Sequence, residues 1–279
     1  ANRMPDPVLQ QVEHFSNPGM TANDSFKPVT KYFDRITRPE QILQSLPQAI
    51  QTMLDPAECG PACLSLCQDV QGETFDYPEE FFKERIHNIR RPRPDDFQIK
   101  QAVEKIKNSK KPIIISGGGV FYSDAMDELG NFAIKHNIPV TQTVMGYSTM
   151  KKDHSHFVGP IGGLGGKAAN NLAKETDLAI CIGTKLADFT TGSWANFENP
   201  EFKLVSINIA RHDANKHLAE AVIGDAKVTL TELSNAIGDW KSSDSWHKKS
   251  QVELKSWNEY VDKESGPTNQ ELPSYAHAV

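Results

Sequence analysis

The chain has 279 residues, 38% hydrophobic and 24% charged, and Lys plus Arg (30) against Asp plus Glu (36) gives a net charge of −6. This length predicts one large domain or two unequal domains. No apolar run approaches the roughly 20 residues that span a bilayer. The excess of acidic over basic residues argues against a nucleic-acid partner. Four cysteines form no disulfide framework, which favours a reducing, cytoplasmic compartment.

The first part of the chain is polar and punctuated by prolines. Ile42, Leu46 and Ile50 recur at helical spacing and predict a helix within 39–52. The apolar run 62–67 follows Gly60-Pro61 and predicts a single strand. Three prolines with charged pairs beside them then predict an extended interdomain linker, and they are Pro78, Pro92 and Pro94.

Helices and strands alternate regularly after the linker. Helical patterns cover 99–106, 126–136, 167–175 and 226–237, and apolar strands cover 112–115, 139–143, 178–182, 204–209 and 221–223. Strands that are almost entirely apolar are typical of a sheet buried on both faces. The pattern therefore predicts an α/β fold over 96–240, a doubly wound, Rossmann-like parallel sheet of five or six strands. A charged amphipathic helix is predicted over 241–264.

Two glycine-rich segments are candidates for ligand contact. Gly117-Gly118-Gly119 follows a strand and precedes a helix expected near Ser123, a place where backbone can approach a phosphate. A glycine-rich turn alone is weak evidence for a ligand, and a plain tight turn is the alternative. The segment 159–167 is not a P-loop, because Ile161 and Ala168 stand where Gly and Ser or Thr are required. Gly163-x-Gly165-x-x-Ala168 matches a looser dinucleotide fingerprint, but residues 151–157 lack the pattern of the buried strand that it requires. We therefore expect a flexible loop ahead of a helix here.

Other chemically suggestive residues have simpler interpretations. Asp153-His154-Ser155-His156 could offer metal ligands, but a solvated loop is the better interpretation. Cys59, Cys63 and Cys67 are expected to be ordinary core residues on or beside a strand. No G-x-S-x-G motif is present, and Gly192-Ser193-Trp194 lacks its flanking pattern. From the residues alone we predict neither a catalytic set nor a metal site.

The order of the pieces resembles the middle of thiamin-diphosphate enzymes of the acetohydroxyacid synthase type. The stretches that carry this resemblance are 60–70, 111–120, 138–146, 177–184, 205–208 and 224–226. A closer resemblance, to the family of trihydroxycyclohexane-1,2-dione hydrolases of inositol breakdown, is carried by 68–73, 77–79, 188–192 and 267–275. The resemblance to thiamin-diphosphate enzymes implies a middle domain of the Rossmann-like type that binds NAD or FAD in other proteins, the DHS-like fold.

The resemblance also implies that the chain is a fragment, as its start at Ala1-Asn2-Arg3 without an initiator Met suggests. Residues 1–70 would be the tail of the pyrimidine-binding domain, 71–95 a linker, 96–240 the central domain, 241–265 a linker helix and 266–279 the start of the diphosphate-binding domain. The family's catalytic Glu would lie upstream and its metal signature downstream. Thiamin diphosphate and Mg²⁺ would then be cofactors of the parent enzyme, held outside this chain.

Within the central domain, the resemblance gives five ligand-facing candidates: Gly117, Gly118, Gly119, Gly183 and Asp225. Some relatives hold FAD with a Gly-Ala-Arg strand end, whereas this chain has Gly183-Thr184-Lys185, so FAD is not expected. The parent is expected to be a homo-oligomer without nucleic-acid or membrane partners. It would hydrolyse a small cyclic dione between its adjacent carbonyls to give 5-deoxy-glucuronate. The alternatives are an acetolactate synthase-like enzyme and a non-catalytic nucleotide-binding module.

Overall fold

The structure, a computed structural model, describes Asn17 and residues 20–266. The chain divides into two units, one up to Arg90 and the other from Arg91 onward. In the described part, no helix combines the length and the apolar character needed to cross a membrane. The predicted start of a third domain at 266–279 lies outside the described residues, apart from Gly266.

The first unit is built on one β–α–β segment. Strand β1 (Tyr32–Ile36), helix α1 (Ile42–Leu54) and strand β2 (Ala62–Leu66) follow one another, and the strands pair in parallel from Tyr32 opposite Ala62. Most side chains of both strands are only half-buried. The helix and strand predicted here are confirmed. Short 3₁₀ turns occupy 22–29, 39–41, 70–72 and 79–82.

The second unit contains a six-stranded parallel sheet. The strand order is β5-β4-β3-β6-β7-β8, and every neighbouring pair is parallel. The strands are β3 (Pro112–Ser116), β4 (Val140–Gln142), β5 (Phe157–Pro160), β6 (Leu178–Ile182), β7 (Lys203–Asn208) and β8 (Glu220–Ile223). This confirms the predicted doubly wound α/β sheet.

Helices cover both faces of this sheet. They are α2 (Asp96–Asn108), α3 (Gly118–Tyr122), α4 (Met126–His136), α5 (Lys167–Glu175), α6 (Asp188–Thr191), α7 (Arg211–Ala214), α8 (Ala226–Ile237) and α9 (Asp244–Glu264). Successive residues of a strand point to opposite faces, so Ile114 packs with α2, α4 and α8, whereas Ile113 and Ile115 pack on the α5 and α9 side. Two separate cores result.

Helix α9 runs along the second face of the sheet, from the amino ends of the strands to their carboxyl ends. Near its start, buried Trp246 donates from Nε1 to the carbonyl oxygen of Pro112, 2.8 Å away, at the amino end of β3. Eleven residues later, Trp257 packs against Gly166, in the turn that opens α5. Since α5 begins at the carboxyl edge of the sheet, α9 carries the chain to that edge.

Two local expectations are wrong. The first helix after the glycine turn begins at Gly118, as the single turn α3, and not near Ser123. The sequence pattern does not predict strand β5, because its four residues include Gly159, with φ of +96°, and Pro160, both typical of turns. Pairing with β4 makes this segment one of the two edge strands of the sheet.

Candidate functional site

The strand order contains a switch point between β3 and β6. From β3 the chain builds outward through β4 to β5, and from β6 it builds in the other direction through β7 to β8. In open α/β sheets, ligands bind in the crevice beyond the carboxyl ends of the strands at such a point. The turns that border it here begin at Gly117 and Gly183.

These two turns are in direct backbone contact. The N–H of Gly119 donates to the carbonyl oxygen of Gly183 at 2.9 Å, and that of Gly117 donates to Ile182 at 2.8 Å. A Cβ on Gly119 would lie 2.6 Å from the Cα of Gly183, and a Cβ on Gly117 would lie 2.4 Å from its oxygen. Gly183 also has φ of +60°. Backbone packing across the crevice thus accounts for these glycines.

The turn after β4 closes the other side of the glycine turn. A Cβ on Gly118 would lie 2.9 Å from the carbonyl oxygen of Met145, and one on Gly146 would lie 2.2 Å from that of Ser116. Thr143 accepts a hydrogen bond from the N–H of Gly146 at 3.0 Å through its Oγ1. Residues 117–119 are therefore held on both sides, and a ligand contact by them stays a prediction.

Asp225 is buried and engaged with the protein. It caps α8, and its Oδ1 accepts from the N–H groups of Lys227 at 3.0 Å and Val228 at 3.3 Å. Its Oδ2 lies 3.1 Å from Nη1 of Arg91, whose guanidinium also donates to the carbonyl of Ser123. The side chain of Asp225 is 5% exposed. The contacts give it a capping role, and its ligand-facing role is not tested by them.

The loop that follows β6 carries strained backbone. Leu186, Ser193 and Trp194 have positive φ values of 46°, 53° and 68°, a conformation that costs free energy for residues with a Cβ. Trp194 meets His217, whose φ is also positive at 61°, with ring centroids 4.6 Å apart. Sequence patterns carry no signal for such residues. Lys185, in the same loop, is exposed.

The glycine-rich segment before α5 is a packed loop. A Cβ on Gly162 would lie 2.1 Å from the carbonyl oxygen of Phe189, which also accepts from the N–H of Gly163 at 2.7 Å. Gly162 has φ of +102°, and Asn170 bonds both its N–H and its carbonyl. The expected loop ahead of a helix is present, but it follows strand β5 and is tied to the loop after β6.

The histidine segment is also more ordered than expected. His156 is buried, not solvated, and its ring stacks on that of His247 in α9 with centroids 4.1 Å apart. Its Nε2 lies 3.2 Å from Oδ1 of Asn137. Burial, with His247 and His154 nearby, lowers the pKa of His156 to about 4. The interpretation of this segment as a solvated loop is wrong for His156.

The cysteines before the linker are not core residues. Cys59 is exposed, and Cys63 and Cys67 are half-buried, with Sγ of Cys67 accepting from Nε of Arg35 at 3.4 Å. The expectation of core packing is therefore wrong for them, since β2 is paired on one side only in the described chain. Cys181 in β6 is buried, and burial raises the pKa of its thiol.

A family comparison identifies the six-stranded unit. Residues 99–233 match the family described as the thiamine pyrophosphate enzyme central domain. They run from α2 into α8 and contain all six strands of the sheet. Residues 99–233 are a thiamine pyrophosphate enzyme central domain.

Curated relatives match beyond the central domain. A protein of Clostridium perfringens (strain 13 / Type A) is 49% identical over 84% of this chain and 36% of its own length. Proteins of Bacillus licheniformis and Bacillus subtilis (strain 168) are 46% and 45% identical over 87% of this chain and 38% of theirs. All three are named 3D-(3,5/4)-trihydroxycyclohexane-1,2-dione hydrolase. This chain therefore spans little more than a third of their length.

The described residues contain no cluster of side chains of the kind that holds a metal ion. A bound diphosphate needs a hard cation held by oxygen ligands. Within Asn17 and residues 20–266, no three or more His, Cys, Asp or Glu side chains gather into a group that could hold a metal ion. No ligand of such a cation is therefore assigned among the described residues.

Proposed function

We propose that this chain is the central portion of a longer, cytoplasmic, thiamin-diphosphate- and Mg²⁺-dependent hydrolase of 3D-(3,5/4)-trihydroxycyclohexane-1,2-dione in myo-inositol catabolism. The observation that carries the proposal is the 49% identity to the Clostridium perfringens relative, which extends over 233 residues and so includes segments flanking the central domain. The central-domain match supports the cofactor.

The proposed reaction adds water across one carbon–carbon bond. Cleavage between the two adjacent carbonyls leaves one carbon as a carboxylic acid and the other as an aldehyde, which opens the ring to 5-deoxy-glucuronate. No catalytic residue is assigned to this chain. We propose a structural part for it in the parent enzyme. The contacts of Gly119 with Gly183 and of Asp225 with Arg91 hold together the turns at the carboxyl ends of the strands.

The first unit supports the domain assignment of 1–70. Parallel sheets occur almost only with both faces covered, and two strands alone are marginally stable. The β1–β2 pair has half-buried strands, and Leu66 at its end is 51% exposed. We therefore propose that this pair completes a larger sheet in the pyrimidine-binding domain of the parent, which we take to be a homo-oligomer.

Two other functions compete with this proposal: synthesis of acetolactate from pyruvate, and nucleotide binding without catalysis. Lys185 stands where FAD-binding relatives have Arg, and an ammonium lacks the planar fork that pairs and stacks with a dinucleotide. We propose that the central domain works without FAD. Tight binding of an adenine nucleotide by this chain would favour a nucleotide-binding module instead.

The test compares the full-length protein that contains this chain with the chain alone. The full-length protein, with thiamin diphosphate and Mg²⁺, should convert the cyclic dione to 5-deoxy-glucuronate and should not condense pyruvate to acetolactate. The 279-residue chain should show neither turnover nor binding of thiamin diphosphate by calorimetry. Acetolactate formation by the full-length protein overturns the substrate assignment. Micromolar cofactor binding by the chain alone overturns the placement of the active site.

A further inference from the structure

Four aromatic rings form a cluster at the surface of the first unit, within residues 73–90. Neighbouring rings have their centroids 5.0–6.2 Å apart, and they belong to Phe75, Tyr77, Phe81 and Phe82. The hydroxyl of Tyr77 donates to the carbonyl oxygen of Pro39 at 3.2 Å, which ties the cluster to the turn before helix α1. Phe82 is nevertheless 69% exposed. The cluster therefore holds an aromatic ring in a fixed position in contact with solvent.

The chain that follows the cluster is exposed and lacks backbone partners. Every residue of 82–90 is exposed, and the side chains of Ile86 and Ile89 are 85% and 62% exposed. Within the part of the chain that the structure describes, residues 84–90 make no backbone–backbone hydrogen bond. Large exposed apolar side chains beside unpaired N–H and C=O groups are typical of a surface that binds another chain.

Charge is divided between the two ends of this segment. Residues 73–80, which we call the acidic arm, contain four acidic residues and no basic one. Residues 83–90, the basic arm, contain three basic residues and one acidic residue. Among the described residues, Arg85 and Arg90 of the basic arm have no ion-pair partner. The segment thus has an acidic end, an aromatic centre and a basic end, and the two ends are complementary in charge.

We propose that the segment 73–90 is an interface between two copies of this chain, in which the acidic arm of each copy lies against the basic arm of the other. A two-fold axis near Phe82 gives this arrangement, because an isologous interface brings one patch against itself in reverse order. The aromatic cluster then lies at the centre of the interface, where aromatic side chains contribute most to binding. The 18 residues of the segment approach the roughly 20–30 residues a side of a stable interface.

The interface deepens the assignment of the parent as a homo-oligomer, and it rests on the proposed function in this respect only. Association of two copies is measured without substrate or cofactor. Loss of the interface would leave the proposed reaction intact, and a failed assay of the reaction would leave the interface intact.

Sedimentation equilibrium of the full 279-residue chain, from about 1 to 100 µM, tests for the dimer. A reversible dimer is expected, and added salt should weaken it, because the exposed charges of the arms are screened. Ile86→Asp places a carboxylate in the interface and should weaken dimerisation at least about tenfold. The control is Ile134→Asp, at a 53% exposed position of α4, which should leave dimerisation unchanged. A wild-type chain that stays monomeric, or equal dimerisation of the two variants, overturns the proposal.

Charge reversal tests the pairing of the arms. Arg85→Glu with Arg90→Glu makes both arms acidic, and Glu73→Lys, Asp76→Lys and Glu79→Lys together make both arms basic. Each variant alone should be monomeric at concentrations where the wild-type chain is a dimer, because like charges then face each other. An equimolar mixture of the two variants should dimerise again, since every acidic arm meets a basic one. A mixture that stays monomeric, or a dimer of either variant alone as strong as the wild-type dimer, overturns the proposal.

Discussion

Gly119 and Gly183 approach each other so closely that neither position has room for a Cβ. The N–H of Gly119 and the carbonyl oxygen of Gly183 are 2.9 Å apart, and each Cα lies 2.6 Å from where the other's Cβ would stand. The contact joins the turns after β3 and β6, which are the two central strands of the sheet. Backbone of the two turns therefore fills the space between them where Gly119 meets Gly183.

Gly119→Ala and Gly183→Ala should each lower the free energy of unfolding by about 2–4 kcal/mol, because the new methyl overlaps backbone that cannot rotate away. Urea denaturation measures this. Gly163→Ala is the control, since its Cβ would meet only ordinary contacts at 3.6 Å and beyond. A loss in Gly119→Ala no larger than in the control would contradict this account of the packing.

Asp225→Ala should destabilise the protein by about 2 kcal/mol, because two N–H groups of α8 lose their acceptor and Arg91 loses its partner. Asp225→Asn keeps a capping oxygen but loses the ion pair, so a smaller loss is expected. The matched control is Asp95, which caps α2 through Phe97. If Asp95→Asn and Asp225→Asn cost the same, the contact with Arg91 contributes nothing.

The stability of the protein should fall between pH 6.5 and pH 4 because of His156. Its folded pKa is about 4 and its unfolded value is about 6.5, so the unfolded chain binds the proton first. The stabilisation is complete above pH 6.5 and is lost as the pH falls through this range, by about 3 kcal/mol. His156→Gln should flatten this part of the pH profile of the free energy of unfolding. Equal slopes in both proteins would refute the prediction.

Backbone amides of β2 should exchange with solvent faster than those of β3. Strand β2 has one neighbour in the described chain and is half-buried, whereas Ile113–Ile115 are completely buried between β4 and β6. Opening of the β1–β2 pair therefore exposes less apolar surface and costs less. Hydrogen exchange of Cys63 and Leu64 against Ile113 and Ile115 measures this. Equal protection in a monomer would mean that the β1–β2 pair is stable without a larger sheet.

The central sheet could be predicted because its strands are apolar runs between amphipathic helices. Ile113-Ile114-Ile115 and Leu178–Ile182 are apolar at every position, which is the pattern of strands buried on both faces. Strand β5 could not be predicted, because only its pairing with Val140 and Gln142, distant in sequence, makes it a strand. Its own residues favour a turn, and local patterns cannot report a distant partner.

The candidate site was harder to predict than the fold. The position of these glycines after strands predicts that they lie in turns, but their contact with each other depends on how two turns meet across the sheet. The burial of His156 likewise depends on His247, which α9 brings from a distant part of the chain. Strain at Trp194 and His217 is a property of the folded backbone, and neither residue type suggests it.

The order in which the strands are laid down bears on how the domain folds. The pair at the centre of the sheet, β3 and β6, joins Pro112 to Leu178 across all of β4 and β5 and the intervening helices. Closing so long a loop opposes early pairing through its entropy, and such non-local contacts slow folding. The β3–β5 half can form from contacts nearer in sequence. We therefore expect alignment of the two halves to be the slow step, with the Gly119–Gly183 contact forming in it.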